Sequence, residues 1–138
     1  MLKNFFSVIA LIIAISISNF AAAENFVSFG NDGGYADLDS VKVENYNPPT
    51  YILSVVTYSY DGNNSNRTKF RLNYDKKTVE IYLSETQIQL ERGRAMAEQF
   101  RGGRFRARTN SGWNDANSEE RELGITLWEK AYKMKFVK

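Results

Sequence analysis

Hydrophobic and polar positions alternate through most of residues 25–91, and the alternation divides this part of the chain into strands. Residues 25–30 (NFVSFG) predict a short first strand, ended by the turn residues of GNDGG at 30–34. In YADLD (35–39), Tyr35, Asp37 and Asp39 lie opposite Ala36 and Leu38, the pattern of a half-buried strand. Asp39 and Ser40 suit a turn, and NYNPP at 45–49 is a second break. TYILSVVTYSY (50–60) is β-branched and aromatic throughout, which predicts a central strand covered on both faces. DGNNSN (61–66) holds no apolar residue and reads as an exposed hairpin loop. Beyond it, Phe70, Leu72 and Tyr74 face one way while Lys69, Arg71 and Asn73 face the other. Lys76-Lys77 makes a tight turn into TVEIYLSETQIQLE (78–91). There Val79, Ile81 and Leu83 share a face, but Ile88 and Leu90 change parity. A bulge or bend between Ser84 and Gln87 is expected to keep both sets inward.

The second half is less regular. In RGRAMAEQF (92–100), Ala95, Met96, Ala97 and Phe100 fit either a short helix or a loose strand. RFRAR (104–108) alternates Arg with Phe105 and Ala107, as an edge strand guarded by charge would. TNSGWNDANS (109–118) reads as a loop. The final segment, 118–136, carries the strongest helix signal. Asn117 and Glu120 fit a capping box, acids crowd the start, and Lys130, Lys133 and Lys135 the end. Leu123, Leu127, Ala131 and Met134 form one stripe, with Ile125, Trp128, Tyr132 and Phe136 beside it. The fold class predicted is α+β: an antiparallel sheet of five or six strands with one C-terminal helix packed on one face.

The first segment is a different kind of pattern. Lys3 precedes an apolar run at 5–17, and Ala21-Ala22-Ala23 supplies a small-residue cleavage site, so residues 1–23 are expected to be a signal peptide. A membrane span needs ~20 apolar residues, more than this run holds. Residues 24–138 are then one α+β domain with no integral membrane segment, exported to the periplasm, the cell surface or the medium. The chain has no cysteine and no histidine. Disulfides are therefore excluded, as are Ser-His-Asp and Cys-His catalysis and the commonest zinc ligands. No cofactor and no metal are expected.

Charge is spread unevenly. Residues 24–61 hold six acids (Glu24, Asp32, Asp37, Asp39, Glu44, Asp61) and only Lys42, a formal charge of −5. Residues 92–108 hold six arginines and only Glu98, a formal charge of +5. Such poles can pair within the fold, between two copies, or with a charged partner, and the basic one can equally be a solvated loop with no partner.

The order YADLDSVKV, TYILSVVTYSY, KFRLNYDKKTVEIYL, LGITLWEKAY resembles the adhesin E family of small exported bacterial proteins. Tyr35, Asp37, Ser40, Val41 and Lys42 match its first motif, 76–83 its middle, and Leu123, Gly124, Leu127 and Trp128 its end. The resemblance implies a curved antiparallel sheet with the C-terminal helix on its concave face, and adhesion to host or surface proteins. Tyr74 and Tyr132 stand where the family has two cysteines that tie helix to sheet. An aromatic contact between them is expected in place of that disulfide.

Three classes of function follow. An Arg-Gly-Gly element with an interleaved aromatic could bind single-stranded nucleic acid, but one copy in an exported chain argues against it. An enzyme would rely on carboxylates, Asp37 and Asp39 or Glu119, Glu120 and Glu122. No facing pair across a cleft is suggested, and solvated or helix-start acids account for both groups, so no catalytic centre is expected. A binding module fits best, with Arg101, Arg104, Phe105, Arg106 and Arg108 as its surface, together with Arg92, Arg94 and Trp113. The expected partner is acidic: a host or surface protein, an anionic glycan, lipopolysaccharide phosphates, or a second copy of the chain. A periplasmic envelope factor or inhibitor acting on another protein is the alternative.

Overall fold

The computed structural model describes residues 25–30 and 33–137. The expected targeting segment, its cleavage site and Asp32 lie outside the described residues. Eight elements follow in order: β1 Phe26–Ser28, β2 Tyr35–Asn47, β3 Thr50–Tyr58, β4 Ser65–Asn73, β5 Thr78–Leu83, α1 Glu85–Phe100, β6 Gly112–Asp115 and α2 Ser118–Tyr132. The six strands form one antiparallel sheet in sequence order. The class is α+β, with the C-terminal helix packed on the sheet.

Strand alternation builds the core as the period of two requires. Phe70 pairs with Leu53 on one side and Ile81 on the other, and Leu72 pairs with Tyr51 and Val79. Leu53, Val55, Phe70, Leu72, Val79, Ile81 and Leu83 are all buried on this inner face. Helix α2 lies over it and buries Leu123, Leu127 and Trp128. Gly124 sets how close the helix can come. A Cβ there would sit 2.8 Å from Val79 Cγ1 and 3.2 Å from Phe70 Cδ1. A glycine inside a helix costs about 1 kcal/mol in propensity, and close packing on the sheet offsets it. The start of α2 is as the sequence predicts, for Asn117 and Glu120 form a reciprocal capping box, but the helix stops at Tyr132, where Lys133 takes a left-handed cap, and does not run on to 136.

An aromatic cluster fixes the far end of α2. Trp128 stacks on Tyr74 at 5.1 Å, and Tyr132 and Phe136 lie 5.2 Å and 5.3 Å from it. Tyr132 also meets Tyr51 edge-on at 5.2 Å. Helix and sheet are thus joined by rings, but Tyr74 and Tyr132 meet through Trp128 rather than as a direct pair. Phe136 is buried, whereas Ala131 and Met134, expected on the apolar stripe, are exposed.

Four other expectations are corrected. Asp39 and Ser40 form no chain reversal. β2 runs on to Asn47 through register shifts, and the Ser40 hydroxyl donates to Asp37 O while accepting from Val56 N. The turn residues satisfy a bulge instead of ending the strand. Second, the outer face of β3 is only partly covered, for Ile52 and Val56 stay half-buried. Side chains rather than a second layer lie along this face: Arg71 grips Glu80 in a fork (3.0 and 2.7 Å), and Arg67 and Glu44 both bind the Ser54 hydroxyl. Third, residues 84–91 do not continue a strand, because α1 starts at Glu85. The parity change at Ile88 and Leu90 was a change of period. Fourth, residues 104–108 form no strand. The edge strand is β6 inside the expected loop, with Trp113 opposite Tyr82.

Candidate functional site

Helix α1 and the segment that follows it form an arm, and each of its ends is locally determined. At the start, the Ser84 hydroxyl accepts from Gln87 N and the Gln87 side chain accepts from Ser84 N, a second capping box. At the end, Gly103 N donates to Glu98 O and Gly102 N to Gln99 O. Those two bonds, with Gly102 at φ 77°, make a Schellman stop. The Arg-Gly-Gly element is therefore a helix terminator. Gly102 supplies the left-handed turn, and a Cβ on Gly103 would displace the Glu98 carboxylate and press tightly on the Glu98 carbonyl at 3.2 Å.

The chain then turns back. Arg94 stacks on the Phe105 ring at 4.3 Å, which holds the return segment along the helix. Arg108 anchors it at the base. Its guanidinium binds both oxygens of Glu120 at 2.6 and 2.8 Å and also grips Glu91, whose carboxylate accepts from Arg108 N at 2.9 Å. One arginine thus joins α1, the return segment and the capped start of α2. Burial would raise the Glu91 carboxyl, but the hydrogen bonds and charge of Arg108 outweigh it and hold Glu91 below the usual carboxylate range. The hydrogen bonds that the Arg108 guanidinium donates to Glu120 chiefly, and to Glu91 in addition, push it still higher. Between arm and α2 lies an open cleft of about 590 Å³ lined by Phe29, Leu90, Arg94, Arg101 and Arg108.

The predicted surface residues therefore divide. Arg94, Arg101, Phe105 and Arg108 share the cleft, and Arg104, Phe105 and Arg106 border a second, shallower groove with Met96. Arg92 reaches Thr109 O at 3.5 Å. Arg108 is committed to two carboxylates. Trp113 belongs elsewhere: it lies on the outer sheet face, 5.5 Å from the Tyr82 ring and 4.6 Å from the Arg71 guanidinium. Among the described residues, Arg101, Arg104 and Arg106 make no ion pair.

Sequence reasoning left two features out of the binding surface. Met96 and Phe100 sit one turn apart on α1 and are 63 % and 89 % exposed, beside the arginines. Their i, i+4 spacing was the available signal. The Arg108 clamp was less accessible, since its carboxylates come from positions 17 residues before and 12 after it.

Among the described residues, four of the five candidate catalytic carboxylates, all but Glu122, have structural partners. Asp37 accepts from Asp39 N, Asp39 binds Lys130 and Asn25, Glu119 accepts from Gly30 N, and Glu120 holds Asn117 N and Arg108. Among the described residues no group of three or more Asp, Glu, His or Cys is placed to hold a metal, and no helix is long and apolar enough to cross a membrane. No family model, curated protein or solved structure matches the chain.

Proposed function

We propose that this chain is an exported binding module that recognises an acidic partner through the arm formed by α1 and residues 101–108. The observation that carries this reading is the contrast among the arginines. Arg108 is spent on holding the arm in place, while Arg101, Arg104 and Arg106 stay exposed and unpaired among the described residues. A rigid mount reduces the ordering cost that a flexible basic loop would meet on binding. The resemblance to the adhesin E family supports a protein partner on a host or cell surface. The structural partners of Asp37, Asp39, Glu119 and Glu120 favour binding over catalysis.

Retention on an immobilised polyanion such as heparin tests the reading. The triple variant Arg101→Ser, Arg104→Ser, Arg106→Ser keeps the Arg108 clamp, so its fold should be retained. It should elute at clearly lower salt than the wild type. Equal elution would refute the arm as the binding surface. Cell fractionation with protease shaving of intact cells tests export separately, and protein confined to the cytoplasm would contradict it.

A further inference from the structure

The exposed apolar residues distinguish this arm from a plain polyanion site. Phe100 is the last residue of α1, and the Schellman turn just beyond it points the chain back, so the ring sits at the apex of the protrusion. Arg101 follows directly, and Met96 borders the groove that holds Arg104, Phe105 and Arg106. A soluble polyanion is satisfied by charge alone and makes no use of a large ring held in water. A lipid surface uses both groups: phosphates meet the guanidinium groups and the interfacial layer beneath takes the apolar side chains. Arg101, Arg104 and Arg106, exposed and without an ion pair among the described residues, select anionic lipid over neutral lipid.

We propose that the tip of this arm docks peripherally on an anionic lipid surface. Phe100 and Met96 enter the interfacial layer, and Arg101, Arg104 and Arg106 bind lipid phosphates. This rests on the arm being the binding surface and takes lipid, in place of a surface protein, as its acidic target.

The test uses the chain lacking residues 1–23, which retains every described residue. It is sedimented with vesicles of mixed phosphatidylglycerol and phosphatidylcholine, and with phosphatidylcholine alone. Salt-sensitive binding to the anionic vesicles, much weaker to the neutral ones, is expected. The double variant Met96→Ser, Phe100→Ser should lower the partition coefficient about tenfold or more. An unchanged thermal midpoint would show that its fold is intact. Vesicle binding unaffected by the double variant would overturn the proposal. So would heparin retention without any vesicle binding, which would leave the arm as a site for a protein or glycan. Failure on both heparin and vesicles would remove the arm as a binding surface altogether.

Discussion

The two helices are of similar length, 16 residues in α1 and 15 in α2, and each begins with a capping box, yet they relate to the sheet in opposite ways. Helix α2 presses Leu123, Leu127 and Trp128 onto the inner face, with Gly124 against Val79 and Phe70. Helix α1 buries Ile88 alone and leaves Leu90, Met96 and Phe100 exposed. Capping residues specify that a helix forms and where it starts; the apolar face decides whether it belongs to the core. One helix holds the fold together, and the other is held out by it.

Matched substitutions should pull the two apart. The largest difference is expected for leucine truncation. Leu127→Ala, at a fully buried position, should cost about 2–5 kcal/mol in urea unfolding. Leu90→Ala, 68 % exposed, should stay within about 0.5 kcal/mol. Similar losses at both sites would mean that α1 belongs to the core. Next come the two interior glycines, for which opposite signs are expected. Gly124→Ala forces a methyl into Val79 and Phe70 and should cost about 1–3 kcal/mol. Gly93→Ala meets nothing within 4 Å and should add about 0.5–1 kcal/mol through helix propensity.

The clamp gives a smaller and more local effect. Arg108→Ala leaves Glu91 and Glu120 without their shared cation, so proteolysis within 92–107 should accelerate much more than the thermal midpoint falls. Uniform destabilisation with no local cleavage would argue against a clamp. The smallest effect is that of pH. The folded Glu91 carboxyl lies below its ordinary value. Its contribution is therefore complete above about pH 4.3 and is lost as pH falls through the lower folded value. Amide protection in α1 should drop over that acid window, and Glu91→Gln should abolish that part of the pH dependence. Protection in α1 that is flat down to about pH 3 would contradict this.

What could be read from the residues alone follows from how local each signal is. Alternation at Phe70, Leu72, Val79, Ile81 and Leu83 identified the β4–β5 hairpin and its buried face, because a period of two needs no tertiary information. The Asn117–Glu120 box fixed the start of α2. The equivalent Ser84–Gln87 box is present too, but the strand pattern running into it masks the start of α1, so 84–91 reads as strand and 92–100 stays open between helix and strand. β6 is four residues long, too short for periodicity to register. The division of the arginines into one clamp and several exposed groups depends on Glu91 and Glu120 meeting in space, and no spacing rule carries that.

Hydrogen exchange followed by peptide mass spectrometry tests most directly the claim that the arm is carried by the fold without being part of its core. The account predicts that amides of 93–103 exchange through local opening, at least about a hundredfold faster than those of 121–131, which require global unfolding. Equal protection in the two segments would place α1 in the cooperative core and contradict the account.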